Sequence, residues 1–306
     1  MDHIEVKCKN LEIAVKRHRE MVHYIIKQCF PKLQAKLKEA DEKAMTWKER
    51  ALKAESRNAL LKQELEEQNG QINHFKKLYE GQYQIMMKTG SVMGEVVWKS
   101  FKSQSNVKML VQAEETMQKY CAFSKGILDS FLLAYGKEMP SQQSMEHVFV
   151  ISVLGAMVNF AAFTEGREFL AKQDDVLQLM KRLMLDQEHW SITHGRYMKR
   201  MVLTFAYNMS LVDGVAYILL SEEKLINGTL RCLSLNDPTD VVGAAVAIIY
   251  RLLSVSLQSD IPSALPEKIP WAMIKSMTNS SDKQLEDISK GLLDIMDITR
   301  NHRSAF

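Results

Sequence analysis

Glycine and proline are both scarce in this chain, 13 and 6 of 306 residues. About a hundred residues separate Pro31 from Pro140. Proline ends helices and glycine weakens them, so their scarcity favours helix over sheet. No segment approaches the roughly 20 uninterrupted apolar residues that cross a bilayer. The first residues, MDHIEVKCKN, lack the apolar core of a signal peptide. No membrane contact and a place inside the cell, in cytosol or nucleus, are therefore expected. Cys8, Cys29, Cys121 and Cys232 stand apart, with neither a CxxC pair nor zinc spacing, and read as reduced thiols.

Catalytic signatures are missing as well. The chain has no phosphate loop, no GxGxxG, no HExxH and no GxSxG, and its eight histidines are scattered. The expectation is a protein that is not an enzyme, with no catalytic residues, no metal site and no cofactor. A dense basic patch with stacking aromatics is also lacking, which argues against direct nucleic-acid binding. The formal net charge is +3, with 20 Lys and Arg against 14 Asp and Glu over residues 1–105, and 20 against 23 beyond. The front is mildly basic with its charges interleaved, as on a solvated helix face.

An apolar fraction of 46% is ordinary for a folded protein, and the length leaves room for about two domains. From Phe30 a 3-4 spacing is sustained. Phe30, Leu37, Ala44, Ala51, Asn58, Leu65, Ile72 and Tyr79 stand seven apart, and Leu33, Ala40, Trp47, Ala54, Leu61, Gln68 and Phe75 form the second row. Such a repeat keeps one seam on one side only when helices supercoil, so a coiled-coil oligomer is expected over 30–87. At about 1.5 Å per residue the segment makes a rod on the order of 75 Å. Leu33, Leu37, Trp47, Asn58, Leu61, Leu65, Ile72 and Phe75 are the candidate oligomerisation residues, with Asn58 a polar register-setter. A lone solvated helix, or one folded back on the rest, is the alternative.

Residues 1–29 carry a separate amphipathic run, Leu11, Val15, Val22, Ile25, Ile26 and Cys29, suited to docking a second partner or to forming the first turns of the rod. Pro31 predicts an end or kink there. Residues 88–110, with their Gly and Ser, read as a junction. Beyond it, 111–306 carries apolar helical runs at 120–135, 144–163, 168–184, 196–211, 214–234, 240–257 and 283–298, separated by Pro140, Asp237-Pro238 and the Pro262–Pro266–Pro270 stretch. Two stretches resemble each other: aligning Asn159 with Asn208 brings Gly166 near Gly214 and Phe169 near Tyr217. The period of about 49 residues is slightly long for armadillo or HEAT repeats. The predicted fold class is all-α, an N-terminal coiled coil followed by an armadillo-like α-solenoid. A third, degenerate unit at DPTDVVGAAV lacks the asparagine, and a last one starts at IPWAMIKSM.

The blocks NFAAFTEGREFL, AYNMSLVDGVAYI, EHVFVISVLGAMV, YQIMMKTGSVMGEVVW and VKCKNLE resemble the heat shock factor 2-binding protein family, the meiotic localiser of the breast cancer type 2 susceptibility protein. That resemblance implies a nuclear, germ-cell adaptor on meiotic chromosomes. It would bind a peptide region of that recombinase loader in its repeats, bring recombinases to double-strand breaks, oligomerise, and contact a further meiotic protein through its N-terminal helices. The Ala-rich seam here departs from the family's coiled coil.

An Asn amide offers both donor and acceptor to the backbone of an extended peptide. Asn159 and Asn208 match the family's groove asparagines; the alternative is that each braces a turn in its own repeat. Arg167, in GREFL, matches a groove arginine, against a local ion pair with Glu165 or Glu168. Lys199 and Arg200 would add positive charge to the same face, and Tyr207 is an aromatic anchor or a core tyrosine. A competing reading is a tether or scaffold in cytoplasmic trafficking or the cytoskeleton. A nuclear-import adaptor would need an acidic groove with tryptophans on the Asn-bearing helices, and Trp190 and Trp271 are elsewhere.

Overall fold

The computed structural model describes residues 2–303 except 137, 188–189, 191, 235–236 and 259–263, so Pro262 lies outside the described residues. The chain divides into two units, Met1–Gly81 and Gln82–Phe306.

The first unit holds helix α1 (Asp2–Tyr24), a π-helical turn at Ile25–Cys29, and the first part of α2 (Phe30–Ser100). Pro31 does not end the helix. Its ring displaces the carbonyl four residues back, and the backbone accommodates this by widening: the Phe30 N–H reaches the Ile25 carbonyl, five residues away. No residue of α2 is buried. The heptad seam is open to solvent along this unit, with Leu33, Trp47 and Phe75 each more than 65% exposed.

The second unit is a stack of helix triplets, each opening on a short helix and closing on a long one. The first is α3 (Gln104–Gln112), α4 (Glu114–Tyr135) and α5 (Met145–Ala162). The second is α6 (Thr164–Leu170), α7 (Asp174–Asp186) and α8 (Ile192–Ser210). The third is α9 (Asp213–Ser221), α10 (Glu223–Arg231) and α11 (Thr239–Gln258). The fourth is α12 (Leu265–Lys268), α13 (Trp271–Met277) and α14 (Lys283–Arg303). Long helices pack on long helices, α5 on α8, α8 on α11 and α11 on α14, while α4, α7 and α10 form a second layer. No single triplet can bury its own apolar face, so stacking is what makes the continuous core.

The runs 168–184 and 214–234 each break into two helices, at Lys172–Gln173 and at Glu222. Neither break carries Gly or Pro, the punctuation on which the sequence reading relied. Helices α5 and α11 are long and apolar enough to cross a membrane by length and composition. In the stack that hydropathy has another cause: a long helix flanked by repeats on both sides packs most of its surface and keeps little solvated face.

Residues 88–110 are not the expected junction. Helix α2 runs to Ser100, and its segment from Gln82 lies parallel to α5 as the long helix of a preceding unit would. Tyr83 Oη donates to Glu146 Oε1 at 2.6 Å, which holds the Glu146 carboxyl below its ordinary value. The glycines that looked like a linker are contact points. A Cβ on Gly90 would stand 3.0 Å from the Phe149 ring and one on Gly94 2.2 Å from Ser152 Oγ. A Cβ on Gly155 would stand 2.5 Å from the Trp98 ring. Met86, Met93 and Val96 of this segment are exposed, Met86 and Met93 prolonging the row of Tyr79 and Val96 that of Phe75.

Candidate peptide groove

The parallel long helices are tied together by asparagine. Asn159 on α5 donates Nδ2 to the Trp98 carbonyl of α2 at 3.0 Å, and Asn208 on α8 donates Nδ2 to the Val158 carbonyl of α5 at 3.1 Å. At the next step the tie changes: Arg251 on α11 donates Nε to the Ser210 carbonyl at 3.1 Å and pairs with Asp213 at 2.6 Å. Asn208 is only 9% exposed and Asn159 is half-buried. One N–H of each amide is therefore used inside the stack to brace neighbouring repeats. An amide NH2 has two donors, so the second N–H and the Oδ1 of each lie beyond that bond.

The other singled-out residues scatter. Arg167, on the short α6, donates to the Ala162 carbonyl at 3.0 Å and to Thr164 Oγ1 at 2.9 Å, closing the α5–α6 turn. Neither expected glutamate is its partner; Glu165 pairs instead with Lys108 at 3.1 Å. Tyr207 is half-buried against the core. Lys199 and Arg200 do not share a face: Lys199 lies near enough to Cys232 to affect its thiol, whereas Arg200 reaches Asp240 of α11 at 3.5 Å. Arg196, one turn before Arg200, reaches the same carboxylate at 3.0 Å.

Two clefts open between the long helices. One, of about 400 Å³, is lined by Trp98 and Lys102 beside α2, by Val148, Ile151 and Ser152 of α5, and by Tyr197 of α8. Glu95 and Lys99 stand on its edge, paired with each other at 2.7 Å. The second, of about 290 Å³, lies between α8, α11 and α14, with Arg200, Thr204, Asp240, Gly243, Asp282 and Ile288 on its walls. The first is mostly apolar and the second polar. Trp98 was missed in the sequence because the repeat pattern was read as starting only after the supposed junction, and Val148, Tyr197 and Arg196 because only the packing of the helices brings them to a cleft or a shared partner. Among the described residues no group of His, Cys, Asp and Glu is placed to hold a metal ion.

Residues 87–213, from within α2 to the start of α9, match the model of the Heat shock factor 2-binding protein ARM-like domain. Over that stretch the chain is similar to that family. The match starts inside α2, as the packing of its last turns on α5 requires. Heat shock factor 2-binding protein of Mus musculus is 26% identical over 230 residues, covering 73% of this chain and 65% of that relative. This chain thus matches a little under two thirds of the mouse protein's length. The relative's name describes a binding protein, and an armadillo-like stack is a binding scaffold.

Proposed function

We propose that this chain is a non-enzymatic adaptor of meiotic homologous recombination. Its groove holds an extended peptide of the breast cancer type 2 susceptibility protein. It acts as a homo-oligomer through the α2 seam, in the nucleus on meiotic chromosomes, where it helps bring recombinases to double-strand breaks. A further meiotic protein docks on α1. The observation that carries the peptide reading is the row of parallel long helices with two successive clefts, Arg196 and Arg200 sharing one carboxylate between them. Arg196 and Arg200 give a guest carboxylate two guanidinium groups beside Asp240, and the asparagine amides supply hydrogen-bonding groups for its backbone.

Titration calorimetry of the full chain against fragments of the breast cancer type 2 susceptibility protein tests this. Arg200→Glu and Thr204→Arg, both in the second cleft, are expected to lower affinity at least tenfold without changing the melting temperature. Binding that survives both removes the groove from the account. Heat shock factor 2, named by the mouse relative, belongs in the same assay as a competing partner. Nuclear foci in meiotic cells support the recombination reading, and membrane or microtubule staining the tether.

A further inference from the structure

We propose that the cleft bounded by Trp98, Val148, Ile151 and Tyr197 is an anchor pocket for one large apolar side chain of an extended peptide, with a peptide carboxylate about three to six residues away meeting Arg196 and Arg200. The inference rests on the groove reading and adds to it a register and a chemistry.

The walls settle the first half. Trp98 lies over Gly155, whose missing side chain is what lets the indole settle onto α5. Ile151 forms a buried wall, while Val148 and Tyr197 remain 44% and 36% exposed at the mouth. A cleft of about 400 Å³ with this lining has room for one or two bulky side chains, and an aromatic or leucine seated there takes a large apolar surface out of water. It is partly open to solvent, which suits a side chain of a passing peptide better than an enclosed small ligand. Charges near it are few: Glu95 is neutralised by Lys99, and Lys102 adds a cation. His147 and Gln142 complete the polar end.

Charge settles the second half. Tyr197 and Arg200 are one turn apart on α8, so the two clefts are neighbours across that helix. Arg196 and Arg200 converge on Asp240 alone. The other carboxylate in that cleft, Asp282, is engaged by the Gln284 and Leu285 backbone N–H groups at the start of α14. A guest carboxylate therefore meets two guanidinium groups, with Asp240 bound to both and Asp282 held by backbone N–H groups at the start of α14. Packed helices stand about 8–10 Å apart and an extended residue spans about 3.3 Å, so one to two helix spacings correspond to about three to six residues.

The test selects binders to the full chain from a phage-displayed library of random twelve-residue peptides. The strongest peptide is then synthesised and titrated. The expected result is a large apolar residue at one position, with Asp or Glu three to six residues from it. Its binding should fall at least tenfold on Val148→Glu and on Tyr197→Ala, but stay unchanged on Val148→Ile. Changing the peptide's apolar residue to Gln should cost as much. Peptides that lose affinity on Arg200→Glu but ignore Val148→Glu and Tyr197→Ala keep the groove and overturn the anchor pocket. Peptides indifferent to all of these variants, or a library with no binder, overturn both. Val148 and Tyr197 are surface positions, and matched melting temperatures exclude unfolding as the cause of a loss.

Discussion

Asn208 Nδ2 and the Val158 carbonyl, 50 residues apart in sequence, meet at 3.1 Å across two stacked repeats. The bond sits at a buried position, so its loss strands an acceptor away from water. Asn208→Ala is expected to destabilise the repeat domain by about 1–3 kcal/mol, and Asn159→Ala, half-exposed, by about 0.5–1.5 kcal/mol. Denaturant melts of both variants check the order. For the same reason Asn208→Lys is a poor probe of binding: it forces an ammonium group into a 9% exposed position.

Glycines that align in sequence are not equivalent in space. A Cβ on Gly166 would fall 2.0 Å from the Phe160 carbonyl oxygen, and one on Gly155 2.5 Å from the Trp98 ring, whereas Gly214 meets nothing within 4 Å. Gly166→Ala and Gly155→Ala are expected to cost about 1–3 kcal/mol each through overpacking. Gly214→Ala is expected to be neutral or to stabilise by up to about 1 kcal/mol, the helix preference for alanine. Thermal melts separate the three.

The exposed seam of α2 gives a prediction about assembly. Leu61 and Leu65 are each more than 50% exposed in the single chain, and both fall on the heptad stripe. Leu61→Asp together with Leu65→Asp is expected to lower the mass measured by light scattering toward that of one chain. Asn58→Leu is expected to raise the melting temperature of the rod and to broaden its oligomer distribution, since a polar a-position residue trades stability for register. An unchanged mass in the double variant would remove the seam as an interface.

The four thiols divide into two classes. Cys8 and Cys29 are exposed, while Cys121 and Cys232 are buried. Burial pushes the Cys121 thiol up to about 12 and Cys232 up to about 11. The thiolate is the reacting form, so at pH 8 a disulfide reagent is expected to modify Cys8 and Cys29 quickly and the other pair only after denaturation. Peptide mapping of the labelled cysteines reads this directly.

Fold class was legible because it depends on averages: the scarcity of Gly and Pro, the heptads before Tyr79, and the Asn159–Asn208 repeat all survive without knowledge of packing. Boundaries were less so. The glycines at 90 and 94 carry the same letter as linker glycines, and only the closeness of Phe149 and Ser152 shows that they mark helix contact. Short first helices such as α6 and α9 end without Gly or Pro, so two helices read as one. For the site, the sequence singled out the asparagines and Arg200 as candidates. It could not tell that one N–H of each Asn bonds a neighbouring helix, because an amide between helices and one toward a peptide leave the same residue in the chain. Arg196 became visible only through its shared partner, Asp240, 44 residues on.

The account depends on a guest lying along the long helices and not on the outer layer. Photo-crosslinking measures this most directly, with p-benzoylphenylalanine in place of Thr204 on α8 or of the exposed Phe123 on α4. Bound to a peptide fragment of the breast cancer type 2 susceptibility protein, the full chain is predicted to crosslink from position 204 and not from 123. Crosslinking from 123 alone would contradict the account.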